Sequence, residues 1–257
     1  MASSALRIGL AQYNITWENP QANIQHLQGM IHSEDHVDLL LLPEMWSTGF
    51  TMNPETNAEH SPGPALSWMI EQAQKSNFLI GGSISVEDNG RFFNRFYFVH
   101  PDGHFESYDK RHLFSYGKED QHYTSGNSRL VVEIKGWKIM PIVCYDLRFP
   151  VWCRNNIGYD LIVVVANWPT PRIHHWDTLL KARAIENQSY LAAVNRIGSD
   201  GNGLHYPGHS SIYDMGGSAL VEMKDTEGIG VLDLDKEALT HYRDHFRFLQ
   251  DQDPFTV

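Results

Sequence analysis

Hydrophobic and polar positions along this chain fall into two rhythms. Short, nearly unbroken apolar runs occur at residues 6–13, 37–42, 78–86, 139–144 and 160–168. Runs of this length between turn residues predict strands covered on both faces. Other segments carry apolar residues at helical spacing. In residues 19–33 these are Ile24, Leu27 and Ile31, with Asn19-Pro20 as cap and first turn. The same spacing predicts helices over 64–77, 149–158, 173–188 and 236–250. Residues 78–88, 91–101 and 104–110 read as three strands, turning at Asp88-Asn89-Gly90 and Pro101-Asp102-Gly103. A loop containing Gly117 and Gly126 follows. Residues 129–146 then predict a hairpin broken at Gly136, and 189–198, 208–223 and 228–235 predict further strands. Strands alternating with helices predict an α/β fold with mixed sheets and helices outside. No repeat, low-complexity tract or Pro/Ser-rich linker divides the chain, so a single domain over residues 1–257 is expected.

Composition sharpens this picture. Hydrophobic residues make up 42% of the chain and charged residues 20%, which supports a large folded core. The formal net charge of −11, with no basic stripe, argues against a nucleic-acid partner. No apolar run approaches bilayer length, so no membrane association is expected. Residues 1–14 lack the charged start, apolar stretch and cleavage site of a secretory signal. Two cysteines, Cys144 and Cys153, cannot build a multi-bridge framework, and reduced thiols in a cytoplasmic setting are expected.

Three predicted strands end on a chemically active residue: Glu44 after LLLLP, Lys110 after HFESYD and Cys144 after IMPIV. Ligands of α/β sheets sit beyond the carboxyl ends of the strands. Were these ends neighbours, an acid, a cation and a thiol would converge. The carboxylate could take the thiol proton and return it to a leaving amine, and the ammonium could hold an oxyanion. Cys144 also precedes the predicted 149–158 helix, whose first N–H groups would favour negative charge. Each residue has a plainer reading. A cysteine in an apolar strand is more often core than nucleophile. Glu44 could simply mark a strand end meeting solvent, and Lys110 beside Arg111 could be a solvated turn cation.

The words around these residues narrow the choice. LLPEMWSTGF, YDKRHLF and CYDLRFP resemble the three signatures of the nitrilase, or carbon–nitrogen hydrolase, superfamily. The resemblance starts at LRIGLAQ, continues through VVVANWP and KARAIENQ, and reaches VNRIGSDGNG, nearly the whole chain in order. It implies a four-layer α-β-β-α sandwich. It also implies Glu44 as general base, Cys144 as nucleophile and Lys110 as oxyanion stabiliser. In the looser match GKEDQHYTSGN, Glu119 falls where many members carry an assisting glutamate; its plainer reading is a solvated loop acid.

The extended wording is most similar to the omega-amidase branch. That similarity implies hydrolysis of the distal amide of 2-oxoglutaramate or 2-oxosuccinamate to a 2-oxo dicarboxylate and ammonia, with no cofactor and with a symmetric dimer as the working form. Nitrilases and N-carbamoyl amino acid hydrolases share the triad, and a catalytically silent binding protein on the same fold is the reading from another class. Arg148 could hold a substrate carboxylate, or pair with an acid such as Glu186 and orient the site; the structural role is slightly favoured. Phe50, Phe114, Tyr145 and Trp168 could wall a pocket or fill core. His174-His175 and His205 with His209 form no ligand set at metal spacing, so no metal is expected.

Overall fold

The computed structural model describes residues 5–31 and 36–256, so the predicted end of the first helix at 32–33 lies outside the described residues. The first half of the chain runs β1 (Ala5–Gln12), α1 (Pro20–Met30), β2 (Leu39–Leu41), α2 (Pro54–Asn57), β3 (Glu59–His60), α3 (Pro64–Ser76), β4 (Leu79–Asp88), β5 (Arg91–Val99) and β6 (Phe105–Asp109). The middle holds α4 (Glu119–His122), β7 (Val132–Ile134), β8 (Trp137–Val143), α5 (Pro150–Cys153), β9 (Leu161–Ala166), α6 (Ile173–Asn187) and β10 (Tyr190–Asn195). A small ribbon, β11 (Ile197–Ser199) with β12 (His205–Pro207), precedes β13 (Ser211–Tyr213), β14 (Ala219–Glu222), β15 (Gly228–Asp235) and α7 (Lys236–His245).

Two sheets repeat one plan. In the first, β1, β2 and β4 are parallel neighbours, with β15 antiparallel on one side and the β5–β6 hairpin on the other. In the second, β8, β9 and β10 form the parallel centre, flanked by antiparallel β7 and by β13–β14. Side chains alternate between faces of a strand. Leu6, Ile8, Leu10, Leu39, Leu41, Phe96 and Phe98 therefore face the second sheet and share one apolar cluster with Ile139, Ile142 and Val163. The opposite face of the first sheet, through Leu40, Leu42 and Ile80, packs on Leu27 of α1 and Leu66 and Met69 of α3. Trp176, Leu180 and Ala184 of α6 cover the second sheet from outside. The result is a four-layer α-β-β-α sandwich. Burial on both faces explains the unbroken apolar runs: every residue of β9 has no exposed surface.

Two local predictions change. β2 ends at Leu41 rather than at Glu44, because Pro43 has no N–H to continue the ladder. The helix predicted over 149–158 shrinks to the single turn of α5, entered through a 3₁₀ turn at Cys144–Arg148. Asp146 sets the 3₁₀ turn by taking the Val143 N–H at 3.1 Å. The Asn155 side chain ends the helix by accepting the Tyr159 N–H at 3.0 Å and donating to the Tyr159 carbonyl at 2.9 Å. No helix among the described residues is long and apolar enough to cross a membrane.

Candidate active site

The ends of β2, β6 and β8 do converge. Lys110 lies one residue past β6, and its N–H donates to the Asn94 carbonyl of β5 at 3.0 Å. Its own carbonyl accepts from Gly126 N–H at 2.9 Å. A side chain at Gly126 would sit 2.1 Å from the Asp109 oxygen, so only glycine allows the loop to lock the lysine from that side. Glu44 lies in the turn after β2, and Cys144 one residue past β8. Cys144 adopts φ +44°, the left-handed region that a side chain enters only at a cost of order 1–3 kcal/mol. The buried Asp146 carboxylate holds that turn. Besides Val143 N–H it accepts the Tyr108 hydroxyl at 2.7 Å and the His112 N–H at 2.9 Å, and it meets His112 Nδ1 at 2.8 Å. The turn bearing the thiol is thus tied to the segment bearing Lys110.

The charged groups form one buried knot. Lys110 Nζ donates to Glu44 Oε1 at 2.8 Å and to both Glu119 oxygens at 3.0 and 2.9 Å. Asn94 Nδ2 donates to Glu44 at 2.8 Å and to Glu119 at 3.2 Å. Phe114 N–H caps Glu119 at 2.6 Å, and Asn167 N–H caps the second Glu44 oxygen at 2.9 Å. Glu44, Lys110 and Glu119 are all at most 1% exposed, which ordinary surface charges never are. The Cys144 sulfur stands 4.0 Å from the Asn167 carbonyl and stays partly accessible from one side.

Burial opposes the Lys110 ammonium, but Glu119, Glu44 and Cys144 together outweigh it and hold its proton on more tightly than usual. Burial pushes the Glu119 carboxyl up, against the pull of Lys110. Burial also pushes the Cys144 thiol well above its usual range, with Glu44 reinforcing and Lys110 only partly relieving the shift. The thiol therefore rests protonated at neutral pH, with a carboxylate beside it.

Above Cys144 opens a cavity of about 380 Å³, a size suited to a small ligand. The four aromatics that could wall a pocket or fill core, Phe50, Phe114, Tyr145 and Trp168, all line it, as do Arg148, Lys110 and Cys144. The Carbon-nitrogen hydrolase family model matches residues 7–244. The chain belongs to the carbon-nitrogen hydrolase family. It is 44% identical over 255 residues to Omega-amidase YafV of Yersinia enterocolitica, covering 99% of each chain. It is 34% identical over 250 residues to the 2-oxoglutaramate amidase of Bacillus subtilis, covering 95% of this chain and 96% of that one. A solved CN-hydrolase superfamily protein, XC1258 from Xanthomonas campestris, which carries an arsenic adduct in its active site, superposes with a TM-score of 0.95. The two are 41% identical, over 98% of this chain and 99% of that one.

Within this carbon-nitrogen hydrolase, the expected Arg148–Glu186 pair is absent. Arg183 takes Glu186 instead at 2.9 Å and also donates to Leu147 O at 2.7 Å. The Arg148 guanidinium lies over the Trp168 ring at 4.9 Å and donates to His175 Nδ1 at 3.1 Å, with no carboxylate partner among the described residues. Arg172, which the sequence reading passed over, lines the same cavity over the Phe114 ring at 5.2 Å. The helix start expected beneath Cys144 is also missing, since a 3₁₀ turn stands there. Asn94, Asn167 and Asp146 were likewise unforeseen. Asn167 follows the LIVVVA strand just as Cys144 follows IMPIV, so the strand-end signal was available for it.

Proposed function

We propose that this carbon-nitrogen hydrolase is an omega-amidase, cleaving the distal amide of 2-oxo-acid amides such as 2-oxoglutaramate and 2-oxosuccinamate to a 2-oxo dicarboxylate and ammonia. The observation that carries the reaction type is the buried Lys110 ammonium bridging Glu44 and Glu119 next to Cys144 on a cavity floor. Cys144 Sγ attacks the amide carbon as its proton passes to Glu44. Lys110 and a backbone N–H just after Cys144 stabilise the oxyanion. Glu44 gives the proton to the departing nitrogen, which leaves as ammonia, and a thioester remains on Cys144. Glu44 then takes a proton from water, the resulting hydroxide attacks the thioester, and sulfur leaves and recovers its proton. Glu119 keeps Lys110 in place throughout. All of these steps run on protein groups and water.

The substrate class rests on the named relatives and on the cavity. Arg148 and Arg172 present guanidinium groups with no acidic partner among the described residues, suited to the far carboxylate of a 2-oxo-acid amide. The aromatic walls suit its short carbon chain. The test is ammonia release from 2-oxoglutaramate, with glutamine and a simple nitrile alongside, for wild type and Cys144→Ala. Release from the oxo-amide, lost in the variant, is expected. Release only from a nitrile or a carbamoyl compound would keep the thiol chemistry and reject this substrate class; no release from any would favour a silent binding protein.

The working form is taken to be a single-domain homodimer in the cytoplasm, with no nucleic-acid or membrane partner. Exposed Val151 on α5 and the exposed Phe246 and Phe248 beyond α7 offer apolar surface for self-association. Both cysteines are free, in keeping with a reducing compartment. Light scattering reading the mass of one chain would overturn the dimer.

A further inference from the structure

The β5–β6 hairpin has two functional ends. Its open end carries Asn94 and Lys110. At its closed end the chain turns through Pro101, Asp102 and Gly103, with Gly103 at φ +89°. His100 N–H donates to His104 O and Gly103 N–H to His100 O, both at 2.9 Å, so the two histidines stand directly opposite each other. Opposed residues share a face, and so does the residue two further along a strand. That residue is Glu106, opposite Phe98. The hairpin register alone therefore gathers His100, His104 and Glu106 on one side.

Their side chains meet. The imidazoles stack at 3.8 Å with 17° between planes. Glu106 Oε2 lies 2.6 Å from His100 Nε2 and 3.9 Å from His104 Nε2. One ligand atom from each of the three falls within 4.8 Å of the others. Asp102 Oδ1 meets His104 Nδ1 at 2.6 Å. A carboxylate there accepts the Nδ1 proton and leaves Nε2 with its lone pair toward Glu106. Metal-bound histidines are oriented in this way, by a second carboxylate on the far nitrogen. Tetrahedral ligands at about 2.1 Å from zinc stand roughly 3.4 Å apart, between the two separations seen here.

We propose that His100, His104 and Glu106 form a binding site for a divalent transition cation of the zinc class, with Asp102 orienting His104. Two imidazoles and one carboxylate are a donor set for zinc, nickel or copper rather than for magnesium or calcium. The flank at His104 is open to solvent, which leaves a fourth position for water. The cation would clamp the closed end of the hairpin and would take no part in amide cleavage, because Lys110 is at the other end.

The active-site thiol is itself a zinc ligand, so the test uses the full chain carrying Cys144→Ala. Titration calorimetry with zinc sulfate should give one equivalent bound. Adding His104→Ala or Glu106→Gln should remove that heat. Adding Asp102→Asn should weaken binding about tenfold or more, the usual effect of losing such an orienting carboxylate. His104 and Glu106 are solvent-facing, so these variants should fold, and circular dichroism checks it. No zinc heat from the Cys144→Ala chain would overturn the proposal. So would an equivalent that survives both His104→Ala and Glu106→Gln. In either event the trio is a hydrogen-bonded histidine pair on a turn.

Discussion

Glu119→Gln tests the hold of Glu119 on Lys110, since it changes charge but hardly changes shape. Phe114 N–H needs an acceptor, so the new amide oxygen stays with it. The amide NH₂ is then turned toward Lys110 Nζ and Asn94 Nδ2, both of which donate to Glu119 in the native site. Hydrogen bonds to charged groups are worth about 1.5–3 kcal/mol, and the retained oxygen keeps one of the two ammonium contacts, so roughly 1.5–3 kcal/mol of its positioning is lost. At about 1.4 kcal/mol per factor of ten, kcat should fall roughly ten- to a hundredfold. The thiol should respond in the opposite sense. The Glu119 charge helps keep the Cys144 proton on, so removing it lowers the thiol pKa and raises the thiolate fraction at neutral pH. The assay is therefore paired: ammonia release from 2-oxoglutaramate, and the rate of iodoacetamide labelling of Cys144. Turnover should drop while labelling speeds up. A fall in both, together with a lower melting temperature, would make Glu119 a packing residue, and an unchanged kcat would remove it from the site.

Three further outcomes are expected. Arg172→Gln and Arg148→Lys should each raise KM for 2-oxoglutaramate about tenfold, the worth of one charge-assisted hydrogen bond, while leaving hydrolysis of an amide without a carboxylate unchanged; equal losses on both substrates would refute carboxylate recognition. Asp146→Asn turns a donor against the Tyr108, Val143 and His112 donors inside the core, and should lower unfolding free energy in urea by at least ~2 kcal/mol; an unshifted midpoint would refute that account. Burial pushes the Cys153 thiol from 9.0 up to about 12. An unfolded thiol ionises first, so the stability tied to that proton is full below pH 9 and is lost as pH rises toward 12. Cys153→Ala should flatten the decline of the urea midpoint from pH 9 to pH 11, and parallel curves would refute the linkage.

How far the site could be read from sequence follows from what each residue leaves there. Glu44 and Cys144 each end an apolar run, where a chemically active residue is a visible anomaly, whereas Lys110 ends the mixed strand HFESYD and is marked by the YDKRHLF wording instead. Strands covered on both faces, with helices outside, follow from the apolar runs, as β9 shows; the four layers were implied only by the family resemblance. What escaped was set by pairing across the chain. Asn94 sits inside RFFNRFYFV, where nothing local marks it, and its partners Glu44 and Glu119 are 50 and 25 residues away. The slightly favoured pairing of Arg148 with an acid such as Glu186 does not form because Arg183, on the same helix as Glu186 and three residues before it, is better placed to take it. The helix after Cys144 is shorter than its pattern because Asn155 closes a turn on Tyr159 through side-chain bonds that no periodicity reports.

A helix start beneath Cys144 would have eased thiolate formation; burial and the surrounding acids do the reverse. A thiolate held ready in the empty site would face Glu44 and Glu119 with only Lys110 to offset them, and that balance keeps the proton on sulfur. The proposed attack must then be coupled to proton transfer onto Glu44, at a moment when negative charge is passing from sulfur to the substrate oxygen. Lys110 is placed for that moment, since Glu119 and Glu44 hold its proton on. Reactivity is thereby withheld from stray electrophiles and released to a ligand that brings an amide oxygen to the ammonium. Iodomethane, which brings no amide oxygen, should label Cys144 of the wild type slowly at neutral pH and faster as pH rises above the ordinary thiol range; rapid, pH-independent labelling would mean that the resting site holds a thiolate after all.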